Sequence, residues 1–277
     1  MDRAYVLHSY PYKETSLILQ VWTEKHGRMG LVAKGARRPK SAHRSLLVPF
    51  QPLVIDWFGR GELRTLKTAE PESPGIPLAG QALLSAFYLN ELLLKLTTRD
   101  DPHEKLYEAY DEAIGSLRAV SRQAGHRATA SAAATGGSAL EPVLRRFELA
   151  LLREIGFALE LAHEAGSHAP IVAEREYLYV VERGAVPASG LPVAGAGPAG
   201  GERFDAVRLR GLTLLDLERG RFEDPVTVAQ AKSLMRLLIN HSLNGQELAT
   251  RAMVRDLQAL EAPQSPRPSP SGEGDPS

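Results

Sequence analysis

The hydrophobic period of this chain changes at a proline-rich break, and that change limits the folds open to it. Before Pro71-Glu72-Ser73-Pro74-Gly75-Ile76-Pro77 the apolar residues fall in short β-forming runs; after it they recur at helical spacing. Strands followed by helices, rather than alternating with them, indicate an α+β protein of more than one domain. The division is residues 1–72 as a strand domain, 73–78 as a linker and 79–261 as a mainly α-helical domain. A small strand and loop module is expected near 160–205, and 262–277 reads as a disordered tail with five prolines, four serines and two glycines.

In the first domain, Ala4–Ser9 and Ser16–Thr23 are rich in β-formers and are separated by a Tyr-Pro-Tyr-Lys-Glu turn. A third strand, Gly27–Gly35, is bracketed by glycines. Leu53–Phe58 and Glu62–Ala69 flank Gly59-Arg60-Gly61, a connection suited to a hairpin. Closing such a set into a barrel removes its edges, and the five-stranded OB-fold is the leading solution, with an SH3-like barrel as rival. Trp22 and Phe58 lie among aliphatic residues and are expected in the core. Tyr10 and Tyr12, beside Pro11, are better placed to present a ring face outward.

Beyond the linker, Leu83, Leu84, Phe87, Leu92, Leu94 and Leu96 populate a mostly buried helix. Asp101-Pro102-His103-Glu104 has the form of a capping box starting a helix that ends near Ser121. Gln123–Ala139 has no bulky side chain and reads as a flexible insert. Helices follow at Glu141–Leu161 and Phe204–Arg219, with a strand at Glu176–Glu182 and a loop at Gly184–Gly201 between them. Asp224-Pro225 caps another helix, which Asn244-Gly245 ends, and Gln246–Leu260 is the last.

Thirty-three basic and thirty-three acidic residues cancel, so the whole chain is neither a polycation nor an acidic tail. The balance hides a division at Gly80: residues 1–80 carry 12 Lys/Arg against 7 Asp/Glu, and the remainder 21 against 26. From Lys25 to Arg44 there are seven cations and no acid. Such asymmetry points to one end meeting a polyanion. The absence of cysteine excludes disulfides, thiol catalysis and Cys-ligated metal. No signal-peptide pattern and no uncharged run of roughly 18–20 apolar residues is found, so a cytoplasmic protein without membrane contact is expected.

Catalytic patterns fail one by one. His163 and His168 are five residues apart, which would put them on different helix faces. Gly27 to Lys34 lacks P-loop spacing, and no Gly-x-Ser-x-Gly elbow occurs. No catalytic residue, metal ligand or cofactor is assigned. The main chemical feature is the connection after the third strand, where Lys34, Arg37, Arg38 and Lys40 are flanked by Arg28 and Arg44. Arginine forks and close backbone approach at Gly35 suit phosphate, with little base preference. A structured RNA or a translation-associated role is the alternative for the same barrel.

Several segments resemble, in order across about 4–255, the bacterial RecO family of recombination mediators. They are Ala4-Tyr5-Val6-Leu7-His8-Ser9, Lys13-Glu14-Thr15-Ser16-Leu17, Leu31-Val32-Ala33-Lys34-Gly35-Ala36-Arg37, Pro49-Phe50-Gln51-Pro52-Leu53 and Gly59-Arg60-Gly61-Glu62-Leu63. Tyr88-Leu89-Asn90-Glu91-Leu92, Leu144-Arg145-Arg146-Phe147-Glu148-Leu149 and Ala231-Lys232-Ser233-Leu234-Met235-Arg236 complete the set. The resemblance implies an N-terminal OB-fold and a helical domain, without enzymatic turnover. It implies binding to single- and double-stranded DNA, annealing of complementary strands, and capture of the acidic C-terminal tail of single-strand DNA-binding protein. It further implies work with RecR to load RecA, in the cytoplasm and at the nucleoid when DNA is bound. By the same resemblance Lys34, Arg37, Arg38 and Lys40 form the DNA loop, and Arg145, Arg146 and Phe147 sit by the partner pocket. One of the two arginines also has Glu148 or Glu141 in reach on its own helix. Lys232, Arg236 and Arg251 would extend a second DNA path. Many members carry a four-cysteine zinc module corresponding to roughly 160–205; this chain has no cysteine, so packing must hold that region.

Overall fold

The computed structural model describes residues 1–126, 133–157, 159–190 and 205–253. Five strands follow the alternation of the first domain: β1 (Asp2–Tyr12), β2 (Ser16–Thr23), β3 (Gly27–Ala33), β4 (Leu53–Phe58) and β5 (Leu63–Pro71). They close into a barrel in the order β1-β2-β3-β5-β4. Four contacts are antiparallel, and β3 meets β5 in parallel through Gly30↔Leu63, Leu31↔Arg64 and Val32↔Thr65. This is the OB-fold expected from the sequence, and no strand is left with an open edge.

Strand alternation serves two cores. Ala4, Val6, Leu19, Val21, Met29 and Leu31 fill the barrel. Their neighbours Tyr5, Leu7 and Trp22 point outward and join the large core of the helical domain. Trp22 is therefore core, as expected, but in the cluster it shares with the helices. Phe58 is not core: it is 56% exposed. Alternation along β4 sends Leu53, Ile55 and Trp57 to the barrel interior and turns Phe58 out.

The helical body begins with α2 (Gly80–Leu96), after the one-turn α1 (His43–Leu46) in the barrel's long connection. Its buried stripe is Ala82, Ala86, Leu89 and Leu93, with Leu92 alongside, while Phe87 is exposed. Small residues on that stripe let α2 lie close to its neighbours. Helix α3 (Glu104–His126) starts later than the proposed Asp101 cap and runs beyond Ser121. Helix α4 (Ala133–Glu154) starts earlier than expected and ends sooner. The expected flexible insert is thus helical at 123–126 and 133–139, and the rest of it lies outside the described residues. Alanine is the best helix former, so poverty in bulky side chains did not mean coil.

A three-stranded sheet, β7-β6-β8, forms the small module. Strand β6 (Glu176–Val180) was expected; β7 (Gly184–Pro187) occupies the start of the expected loop. Strand β8 (Ala206–Arg210) and the short helix α5 (Gly211–Glu218) replace the single helix expected over 204–219. Leu178, Val180 and Val186 pack with Ala165 on one side of this sheet. Tyr177 accepts from the Val172 N–H at 3.0 Å and donates to Glu164 at 3.4 Å. Helix α6 (Pro225–Ser242) is capped as expected, with Asp224 accepting from Val226 N–H at 2.9 Å. Helical backbone resumes at 249–253, and the tail at 262–277 lies outside the described residues. No helix among the described residues is long and apolar enough to cross a membrane.

Candidate nucleic-acid interface

The chain leaves β3 at Ala33 and turns at Gly35, whose φ of +69° is a conformation that glycine adopts without strain. The loop is pinned by its backbone. Arg37 N–H donates to Thr15 O at 2.8 Å, tying the loop to the β1–β2 tip. Arg38 N–H closes a turn on Gly35 O at 3.1 Å, and Ser41 N–H another on Arg38 O at 3.0 Å. Ala36 and Leu47 are buried in the barrel core and anchor its two ends.

Lys34, Arg37, Arg38, Lys40 and Arg44 all remain exposed. Among the described residues none of them pairs with a carboxylate; Arg37 alone makes side-chain bonds, at 3.4 Å, to the carbonyls of Lys13 and Glu14. Lys13 adds its ammonium above the Tyr12 ring, 5.3 Å from the centroid. Tyr10 is 49% exposed and Tyr12 half-buried. Cations and ring faces therefore share one end of the barrel, held together by the Arg37–Thr15 bond. Arg28, expected to flank this loop, is turned the other way. It is half-buried, donates to Thr97 O at 2.8 Å, and joins the barrel to the end of α2. Burial and the neighbouring Arg99 lower its guanidinium from the ordinary value.

In the helical body the two neighbouring arginines part company. Arg145 is buried and donates to Glu148 at 2.8 Å, with Glu141 3.9 Å away. Glu148 is itself buried and accepts from the Tyr88 hydroxyl at 2.6 Å. Burial pushes its carboxyl up, with Arg145 and Tyr88 opposing. Arg146 is exposed, lies over the Phe222 ring at 5.5 Å, and borders a pocket between α3 and α4. Ala109, Ala113, Val143, Phe147 and Ala150 make its apolar lining, with Glu112 and Ser116 completing it. Sequence reasoning reached Phe147 but not the α3 residues, whose alanines carry no chemical signal.

The proposed second path is not one surface feature. Lys232 pairs with Glu141 at 2.6 Å, and Arg251 donates to Asn240 at 2.6 Å and lies over Tyr88. Arg236 is exposed and has no such partner among the described residues.

The fold and the loop define the class: a two-part protein in which an OB barrel displays an exposed cationic loop and is docked on a helical body. The family described as "Recombination protein O N terminal" matches residues 1–74, and "Recombination protein O C terminal" matches 78–251. Proteins named DNA repair protein RecO are similar over nearly their whole length. That of Azoarcus sp. (strain BH72) is 46% identical over 257 residues, 93% of this chain and 96% of that one. Those of Aromatoleum aromaticum and Nitrosospira multiformis are 43% and 44% identical, each covering 93% of this chain and 95% of theirs. The chain belongs to the RecO family of DNA repair proteins.

Proposed function

We propose that this chain is a non-catalytic mediator of DNA repair and recombination. It binds single- and double-stranded DNA through the loop of Lys34, Arg37, Arg38, Lys40 and Arg44 and anneals complementary strands. Two phosphate backbones held in one positive field repel each other less, which is the physical basis for annealing. Its helical body takes the acidic C-terminal tail of single-strand DNA-binding protein in the pocket beside Arg146. With RecR it helps load RecA, in the cytoplasm and at the nucleoid.

The observation that carries the reading is the loop itself: five exposed cations, unpaired with any carboxylate among the described residues, pinned at both ends. Family membership supports the assignment of that polyanion as DNA. For the tail, the apolar lining and exposed Arg146 suit a peptide ending in acids and an aromatic. Arg145, whose guanidinium already meets Glu148, has no such freedom.

Salt dependence tests the reading. With five phosphates neutralised at about −0.7 per contact, log affinity for single-stranded DNA should fall against log salt with a slope near about −3.5. A flat response excludes the mechanism. Arg28 belongs to the basic cluster in sequence, but its guanidinium is turned inward, so five contacts replace six and the expected slope is shallower than the value of about −4 for six.

A further inference from the structure

We infer that the outer face of the barrel carries a strip that accepts the unpaired bases of single-stranded DNA, with Tyr10 and Phe58 as its stacking rings. The inference rests on the DNA-binding reading above and adds how a single strand is told from a duplex at that site.

The strip is visible in the strand register. Tyr10 pairs with Ile18, Ile18 with Val32, Val32 with Thr65, and Thr65 with Phe58, one residue from each of the five strands. Cross-strand partners share a face, and the barrel interior is taken by their sequence neighbours Leu19, Leu31 and Leu66. The row therefore faces outward. It contains no charge, its middle is half-buried, and its ends are aromatic rings 49% and 56% exposed. The next outward row, His8, Gln20, Gly30 and Leu63, is also open at its ends, with Leu63 44% exposed. The row after that, Tyr5, Trp22 and Arg28, is covered by the helices. The helical body thus stops short of the two rows nearest the β1–β2 tip.

Position and charge select the occupant. Lys34 follows two residues after Val32, so the basic loop starts where the strip meets β3. The Arg37–Thr15 bond holds that loop beside the Tyr10 end. The carboxylates nearest the row in sequence are Glu14 in the tip, Asp56, which Lys67 neutralises at 2.9 Å, and Glu62 in the β4–β5 connection. From Lys25 to Ile55 there is no acid. A polyanion that also offers flat apolar faces satisfies both halves of the site, and unpaired nucleotides are that ligand. In a duplex the bases stack on each other and the phosphates lie outside, so it can use the loop but not the rings. Strands about 4.8 Å apart give the row roughly 19 Å of surface, the scale of the shortest single-strand sites of OB-folds, about four nucleotides.

The test uses the full chain with Tyr10→Ala, Phe58→Ala and both together, and a loop variant combining Lys34→Ala, Arg38→Ala and Lys40→Ala. Binding is read by fluorescence anisotropy against a short oligothymidine and a blunt duplex of equal length. Each ring substitution should weaken oligothymidine about fivefold or more, from a stacking contribution of about 1–3 kcal/mol per base. Duplex affinity should stay within about twofold, Phe58→Tyr should bind as wild type, and the loop variant should lose both ligands. If the rings leave oligothymidine unchanged, or weaken both ligands alike, while the loop variant still loses both, the strip is wrong and the loop reading stands. If the loop variant binds both ligands normally, the reading falls and the strip with it. If size-exclusion shows that Phe58→Ala converts a dimer to a monomer, the strip is a contact between copies and the inference is overturned.

Discussion

Arg145 and Arg146 are adjacent in sequence and have opposite surroundings. Arg145 sits among carboxylates inside the body, and Arg146 stands at the pocket in water. Arg145→Ala should therefore cost about 3–5 kcal/mol in a urea titration, because Glu148 is left buried without its cation. Arg146→Ala should leave the urea midpoint unchanged and weaken capture of a peptide from the tail of single-strand DNA-binding protein. Unchanged capture would remove the pocket from the partner site. Glu148 makes a pH prediction of its own. Its carboxyl is raised above the ordinary 4.5, so the folded state takes up the proton more readily than the unfolded one. That contribution is fully present below about pH 4.5 and is lost as pH rises through the folded value. The stability of wild type relative to Glu148→Gln should accordingly decline as pH increases; a difference that grows instead would mean that Arg145 outweighs burial. The sequence shows both arginines and both carboxylates, but not which arginine is inside. Phe147 and Leu151 mark one apolar stripe, yet α4 also buries Leu149 and Leu152 on a second side. Helices α2, α3 and α6 all pack against α4, and no local pattern records that it is enclosed on more than one side.

At the scale of elements, legibility tracked how far each depends on distant contacts. The five strands and the Asp224-Pro225 cap were readable because alternation and capping are local. Strand β8 was not. Ala206-Val207-Arg208-Leu209-Arg210 does alternate, but the leucine-rich run after Gly211 continues it into an apparent helix. What separates strand from helix is a close approach at Gly211. A Cβ there would fall 1.9 Å from the Val172 carbonyl oxygen and 3.1 Å from the Tyr177 ring. Gly211 N–H also donates to Arg175 O at 2.7 Å, so the backbone has little room to shift. Gly211→Ala should destabilise the chain by about 1–3 kcal/mol through overpacking, measured as a lower urea midpoint. Gly220→Ala, where a Cβ would meet nothing but φ is +66°, separates backbone strain from crowding. If Gly211→Ala is neutral, the corner between β8 and α5 is looser than this contact requires.

At the scale of the molecule, the basic barrel and the acidic remainder are joined by much more than the linker. Tyr5, Leu7, Trp22 and Phe50 from the barrel belong to the same core cluster as Leu89, Leu93, Tyr107 and Tyr110. Around it, Arg3 pairs with Glu72 at 2.6 Å and Asp111 at 3.4 Å, and the Tyr5 hydroxyl donates to Asp111. The charge division seen in sequence thus becomes a fixed orientation, with the basic loop held on a barrel that cannot swing freely. Asn90 is the polar centre of this contact. It donates to Leu7 O at 2.9 Å and accepts from the Tyr110 hydroxyl at 2.6 Å, all within the buried core. Nothing in Tyr-Leu-Asn-Glu-Leu announces that role; a helix-borne asparagine reads as a polar interruption until the barrel carbonyl opposite it is known. Replacing Asn90 with alanine leaves two buried groups without partners, at about 1–3 kcal/mol each. Because the barrel and the helices share one core, that loss should lower their unfolding midpoints together. Tryptophan fluorescence reports Trp22 at the shared core and Trp57 in the barrel, and far-ultraviolet circular dichroism reports the helices. The two signals should coincide in wild type and shift by the same amount in Asn90→Ala. A barrel transition that stays in place while the helical signal moves would show two independently folding units, and with it a loop whose orientation the helical body does not set.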